Sequence, residues 1–329
     1  GTSAGTQMVK DINPGPGNAY PSYFKVFNGK IYFQANNGTN GSELWVTDGT
    51  AAGTQMVKDI NPGAGNASVY SYTEFNGKLY FTATNNAANY EMWVTDGTTA
   101  GTQMFKEIDP DPVGYGDPYY YTVMGNKMFF TAKTTTTGRE VWVTDGTVSG
   151  TQMVKDIYPG IDAGANNIGF TVYGSKVYFG ATDGTSGNEL WTSDGTTAGT
   201  QMVKDINTGA ADANLTTIIV YKNKIYFGAT DAANGAELWM SDGTTAGTQL
   251  VKDIVAGTAH SGPEEFSIYK NKLYFTANAG TSDRQMFWTD GTAAGTQKIA
   301  PVLAPLSNPL GSTNYFMVCD SGFFFRAKY

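Results

Sequence analysis

ELWVTDGTAAGTQMVKDI, running from Glu43 to Ile60, is written again with small changes from Glu91, Glu140, Glu189 and Glu237, and in a worn form from Gln285. The Asp of its Asp-Gly-Thr triplet falls at Asp48, Asp96, Asp145, Asp194, Asp242 and Asp290, a spacing of 48 or 49 residues. A second phrase keeps the same step: NGKIYF at Asn28, NGKLYF at Asn76, GNKMFF at Gly125, GSKVYF at Gly174, KNKIYF at Lys222, KNKLYF at Lys270 and a degraded DSGFFF at Asp320. A period of this length is the mark of a repeat architecture, and it constrains the fold before any single residue does.

Each unit reads as four short strands. In the first they are A (Ser22–Phe27), B (Lys30–Ala35), C (Glu43–Asp48) and D (Thr54–Ile60). Asn-Gly between A and B is a two-residue hairpin signal. The B strands are apolar on consecutive residues, so both faces of each sheet should be covered. Helical periodicity is missing, because Gly or Asn interrupts the chain about every dozen residues. Four-stranded units of about 40–50 residues, each covered by its neighbours, describe a β-propeller. The expectation is a single all-β domain over residues 1–329, a seven-bladed β-propeller of 48–49-residue repeats. The chain opens on GTSAGTQMVKDI, inside its own repeated phrase, and ends on an A–B pair (Tyr315–Tyr329). The N-terminal strand Thr6–Ile12 is therefore expected to close the last blade beside Phe323–Lys328, giving three strands or awaiting a C strand from a longer protein.

A register is proposed for C against D. Glu43 and Lys58 stand 15 residues apart, as do Glu91–Lys106, Glu140–Lys155, Glu189–Lys204 and Glu237–Lys252. In the sixth unit the two positions hold Gln285 and Ala300, and both charges vanish together. The pattern predicts five cross-strand ion pairs with a structural role.

These residues resemble the ELWxxDGT repeat family of bacterial surface and secreted proteins over nearly the whole chain. The motif stands as ELW at Glu43, Glu189 and Glu237, EMW at Glu91, EVW at Glu140 and QMF at Gln285. The resemblance implies a propeller-like extracellular or cell-surface module and no particular activity. The last unit departs from the pattern, with Phe287 at the Trp position and QKIAPV for QMVKDI.

Composition narrows the functional classes. Net charge is −8 and the lysines are spread through the repeats, so nucleic acid is not an expected partner. One Cys and one His leave no disulfide framework and no His-rich metal site. No run of 18 apolar residues exists to insert into a membrane as a helix. Asp11-Ile-Asn13-Pro-Gly15 has an oxygen-rich look that gives calcium as a subsidiary expectation at Asp11 and Asn13, although Pro-Gly explains itself as a turn. No cofactor is otherwise expected. Asp48-Gly49-Thr50 and its copies read as C–D turns, since near-identical catalytic sites in every repeat are implausible. Cys319 holds a position taken elsewhere by Phe27, Phe75 and Tyr269, and His260 has no nucleophile motif beside it.

The loops carry the functional signal. Alternating strands put the A–B and C–D turns on one face, where they are nearly uniform, and the B–C and D–A loops on the other. There every unit differs, as in NPGPGNAYP after Ile12, DPDPVGYGDPYYY after Ile108 and VAGTAHSGPEE after Ile254. Tyr, Asn, Asp and Gly suit polar or sugar ligands. Tyr115, Tyr119 and Tyr120 form the densest aromatic run, with Tyr90, Asn86 and Asp117 expected nearby. The leading expectation is a non-enzymatic extracellular adhesion module that binds a glycan or surface protein. A structural subunit of a surface layer or filament comes second, its partners other subunits, and a propeller hydrolase third.

Overall fold

The computed structural model describes residues 2–86, 89–111, 114, 116–165, 169–280 and 284–299, and the backbone of Phe316–Cys319 and Gly322–Phe325. The chain divides into two compact units, Gly1–Ala163 and Gly164–Tyr329. In the first unit the elements are β1 (Ser22–Phe27), β2 (Lys30–Asn36), β3 (Ser42–Thr47), β4 (Gln55–Lys58), β5 (Tyr70–Phe75), β6 (Lys78–Thr84), β7 (Tyr90–Thr95) and β8 (Gln103–Lys106), followed by β9 (Tyr119–Met124), β10 (Lys127–Thr134), β11 (Gly138–Thr144) and β12 (Gln152–Lys155). In the second they are β13 (Thr171–Tyr173), β14 (Lys176–Ala181), β15 (Glu189–Ser193), β16 (Gln201–Lys204), β17 (Ile219–Tyr221), β18 (Lys224–Asp231), β19 (Gly235–Ser241) and β20 (Gln249–Lys252), then β21 (Glu264–Tyr269), β22 (Lys272–Asn278), β23 (Arg284–Thr289), β24 (Gln297–Lys298), β25 (Phe316–Cys319) and β26 (Gly322–Phe325). They form six four-stranded antiparallel meanders and the hairpin β25–β26.

The expected strands are thus present, and the D strand is the one that comes out short. Thr54 leaves the ladder because its hydroxyl bonds the Thr47 hydroxyl at 2.7 Å and the Thr50 carbonyl at 2.7 Å. At the other end the Ile60 N–H donates to the Glu43 carboxylate at 2.6 Å. The A–B turn behaves as read: Asn28 and Gly29 have φ of 49° and 71°, the left-handed pair that a two-residue hairpin needs.

Within each unit the sheets pack face on face. Tyr32, Leu44 and Val46 of the first sheet share a core with Leu79, Phe81 and Trp93 of the second. Met92 and Val94 meet Phe130 and Trp142 in the same way one repeat on. In the second unit Leu190 meets Phe227 and Trp239, and Leu238 meets Phe275 and Phe287. Each fully buried Leu, Val or Phe contributes about 1.5–3 kcal/mol, so these interfaces hold the meanders together. The outer face of the first sheet is different: among the described residues Phe33, Ala35 and Trp45 cluster with Ile12 and Met56, and Phe24 stacks on Phe33 at 5.5 Å.

The ion-pair register is corrected by a bulge. Between Leu44 and Trp45 the β3–β4 ladder shifts, so Lys58 lies opposite Leu44 rather than Glu43. The same shift puts Lys106 opposite Met92, Lys155 opposite Val141, Lys204 opposite Leu190 and Lys252 opposite Leu238. Neighbouring side chains on a strand point to opposite faces, so a one-residue shift sends Glu and Lys apart. Lys58 Nζ crosses instead to the next sheet and donates to the Thr102 carbonyl at 2.6 Å, and Lys204 and Lys252 do the same to Thr248 and Thr296 at 2.8 and 2.7 Å. The five glutamates Glu43, Glu91, Glu140, Glu189 and Glu237 are each 0% exposed. Their carboxylates accept backbone N–H groups of the following D–A loop, such as Ile60 and Ala67 on Glu43 at 2.6 and 3.2 Å, and Ile108 and Gly116 on Glu91 at 2.6 and 3.1 Å. Burial outweighs these donors and pushes Glu43 up to about 8, and Glu91 and Glu189 up to about 7.

The expected strand Thr6–Ile12 is not a strand, and β26 pairs with β25 alone among the described residues. The segment is nonetheless anchored. Lys10 Nζ donates to the Thr54 carbonyl at 2.6 Å, the same bond that Lys58 makes one repeat on, and Val9 and Ile12 line an open pocket of about 320 Å³ together with Phe24 and Phe33. Residues 6–12 therefore sit where a D strand would, and no C strand ladders with them among the described residues.

Candidate functional site

Two loop sets meet on one edge of each sheet. The Ala67 N–H donates to the Ser42 carbonyl at 2.9 Å and the Asp117 N–H to the Tyr90 carbonyl at 2.8 Å, tying a D–A loop to the start of the C strand. From these loops the A strands begin with a bulge. The β1–β2 ladder shifts between Ser22 and Lys25, β5–β6 between Tyr70 and Thr73, and β9–β10 between Phe129 and Thr131. Inside those bulges Tyr23, Ser71 and Tyr120 have φ of 56°, 55° and 57°. A left-handed backbone at a non-glycine residue costs about 1–3 kcal/mol and concentrates at functional sites. In the second unit Glu265 repeats it at φ 57°, and Gly169 holds the same sign at 75° without the Cβ penalty.

The three bulges of the first unit gather tyrosines. Tyr70 is the hub: its ring centroid lies 6.4 Å from Tyr23, 6.0 Å from Tyr90 and 5.6 Å from Tyr119, and Tyr119 lies 4.6 Å from Tyr120. The Tyr70 hydroxyl donates to Asp117 Oδ1 at 2.7 Å. Burial, and then that bond to Asp117, raise its pKa far above the usual phenol range. Arg139 Nη2 meets Asp117 Oδ2 at 2.5 Å, and Arg139 Nη1 donates to the Asp117 carbonyl at 2.9 Å and the Thr131 hydroxyl at 3.2 Å. Charge-assisted bonds of this kind fix the loop that carries Asp117 and aims Tyr119. Tyr23 and Tyr119 stay 57% and 38% exposed.

The structure brings part of the expected cluster together. Tyr90, Asp117, Tyr119 and Tyr120 come together as expected. Tyr115 lies outside the described residues. Asn86 is exposed and occupied in its own turn, where its side-chain oxygen accepts the Asn89 N–H at 2.9 Å. Tyr23, Tyr70 and Arg139 were missed. Alignment of the repeats carried the signal for two of them, since Ser22-Tyr23, Tyr70-Ser71 and Tyr119-Tyr120 occupy the same two adjacent repeat positions.

The other candidates have structural partners. Asp48 Oδ1 accepts the Thr50 N–H at 2.9 Å and the Thr50 hydroxyl at 2.7 Å, closing the C–D turn, and these bonds lower its pKa. A Cβ on Gly53 would lie 2.0 Å from that oxygen, which explains the Gly in every copy of the phrase. Asp11 is exposed, and Asn13 Nδ2 donates to the Asn18 carbonyl at 3.2 Å, a turn that Asn61 repeats onto Asn66 at 3.0 Å. Among the described residues no three His, Cys, Asp or Glu side chains are grouped to hold a metal. His260 Nδ1 accepts the Ala236 N–H at 2.8 Å, as Asn66 Oδ1 accepts the Ser42 N–H at 2.8 Å. In the second unit Glu264 and Glu265 stand at the bulge, with Glu264 on Arg284 Nε at 3.0 Å.

No protein-family model and no curated protein matches the chain. Among solved structures it is similar to oligopeptidase B from Leishmania major, with TM-score 0.53, 11% identity, and coverage of 93% of this chain and 44% of that one. An uncharacterised protein from Listeria monocytogenes EGD-e gives TM-score 0.50 and 10% identity over 97% of this chain and 91% of that one. The beta-propeller domain of the Trilobed protease from Pyrococcus furiosus gives TM-score 0.41 and 13% identity over 87% and 85%. The chain spans less than half the length of the oligopeptidase. At these identities the likeness concerns the fold, and serial four-stranded antiparallel meanders packed face on face are of the β-propeller type.

Proposed function

We propose that this protein is a non-enzymatic binding module, working outside the cell or on its surface, that recognises a glycan or a protein through its variable loop face. The observation that carries the reading is the tyrosine cluster of the first unit. Two of its members, Tyr23 and Tyr120, are held in a left-handed backbone at a bulge that also accepts Ser71. The resemblance to ELWxxDGT repeat proteins supports the exported setting. A glycan array and a panel of cell-surface protein fractions test the reading. Alanine at both Tyr119 and Tyr120 should weaken binding by about 1–3 kcal/mol, roughly 5–150-fold, and leave the melting temperature unchanged within about 2 °C. Comparable losses from changing Asn28 or Asp48, with the tyrosine pair silent, place the site on the opposite loop face.

A second reading, a structural subunit of a surface layer or filament, is favoured by one observation. The first sheet leaves Phe24, Val26 and Ile31 exposed, and large exposed apolar patches mark association surfaces. Concentration-dependent light scattering separates the two readings. In either, we take β25–β26 as part of a seventh repeat.

A further inference from the structure

We propose that the tyrosine cluster is a linear, multi-ring subsite that takes a neutral oligosaccharide chain laid across the starts of β1, β5 and β9. This rests on the binding reading above and narrows it to one ligand class. The row Tyr23–Tyr70–Tyr119–Tyr120, with centroid steps of 6.4, 5.6 and 4.6 Å, draws its rings from two adjacent repeat positions at the start of the A strand in three successive sheets. An extended ligand matches a site built by repetition, because each sheet offers one stacking step rather than one deep pocket. Tyr20, on the loop that leads into β1, is 68% exposed and has φ of 48°.

The electrostatics select for a neutral ligand. Asp117 uses one carboxylate oxygen on the Tyr70 hydroxyl and the other on Arg139, and Arg139 Nη1 also donates to the Asp117 carbonyl and the Thr131 hydroxyl. The opposite charges of this pair offset one another. An acidic polysaccharide would also meet a chain of net charge −8. Around the row the polar groups are tyrosine hydroxyls and side-chain amides, such as Asn18, whose Nδ2 donates to the Tyr20 hydroxyl at 3.1 Å. Such groups both donate and accept, as sugar hydroxyls do, whereas a polyproline helix offers carbonyl acceptors only. Tilted aromatic faces contact the C–H face of a pyranose through the same quadrupole that organises aromatic pairs.

At the bulge position held by Tyr23 and Tyr120 the backbone does not call for tyrosine. Ser71 and Glu265 take the same backbone angle, and Gly169 takes its sign without strain. Tyr23→Gly should therefore raise the melting temperature while weakening ligand binding. A merely structural tyrosine would give the opposite change in stability.

The test is calorimetric titration of the full chain with cellohexaose and chitohexaose, with their dimers, with a galacturonic acid hexamer and with decaproline. The expected result is that a neutral hexamer binds at least tenfold tighter than its dimer and keeps its affinity within twofold in high salt. Tyr23→Gly and Tyr119→Ala should each cost the hexamer about fivefold or more, with Tyr23→Phe restoring most of it. Hexamers no tighter than dimers, a silent Tyr23→Gly, or preference for the galacturonic acid hexamer or decaproline overturns the proposal. If none of these probes binds but an array ligand is lost on changing Tyr119 and Tyr120, this ligand class falls and the binding reading stands. If no glycan or surface protein binds at all, both fall.

Discussion

Glu43 is the residue on which sequence and structure disagree most usefully. Its spacing from Lys58 suggested a surface pair, yet it is buried and bonded to backbone. The consequence is a pH dependence. In the folded chain Glu43 sits at about 8, and Glu91 and Glu189 at about 7, against an ordinary 4.5 in the unfolded chain. Between those values the folded state holds protons that the unfolded state has lost. The stability this contributes is fully present below pH 4.5 and is lost as pH rises through 7 to 8. A raised carboxyl is worth about 1.4 kcal/mol per pKa unit, so melting temperature should fall measurably from pH 5 to pH 8.5. The turn residues Asp48, Asp96 and Asp145 are shifted down and act with the opposite sign, below pH 3.8 and outside that window. Glu43→Gln should flatten the slope, since Gln285 already fills this position in the sixth sheet. An unchanged slope in that variant would remove Glu43 as its source.

At the scale of elements, the D strand is where local and tertiary forces divide the work. Only four residues, Gln55–Lys58, join the ladder, and the last sends its ammonium to a carbonyl of the next sheet. A hydrogen bond from a charged donor contributes about 1.5–3 kcal/mol. Lys58→Met keeps the aliphatic stem and removes only that bond. It should destabilise the protein by about 1–2 kcal/mol in chemical denaturation, at pH 5 and pH 8 alike. A loss that grew with the ionisation of Glu43 would restore the ion pair that the register denies. The A strands show the converse case. Their hairpin turns were legible in Asn28-Gly29 and Asn76-Gly77, but their bulges were not, since Tyr23, Ser71 and Tyr120 share no turn chemistry.

For the whole molecule, repetition makes stability a matter of neighbours. Among the described residues, Phe33 of the first sheet packs with Phe24 of its own sheet and with the segment that precedes it. Deleting residues 1–12 removes Ile12 from that cluster and Lys10 from the Thr54 carbonyl. The truncated chain should melt several degrees lower and bind more of a hydrophobic dye. An unchanged melting temperature would show that the segment is a passenger.

By itself the sequence determined that this is an all-β repeat protein, where its strands run and which face carries the variable loops. Those features depend on periodicity and on local turn chemistry, which a linear string records directly. Only the tertiary structure decided the partners of Glu43 and Lys58, because a one-residue bulge leaves no compositional trace and yet reverses which face a side chain takes. It also decided which tyrosines meet. Tyr23, Tyr70 and Tyr119 stand 47 and 49 residues apart in the chain, and only face-to-face packing of the sheets brings their rings within 6.4 Å of one another in sequence order.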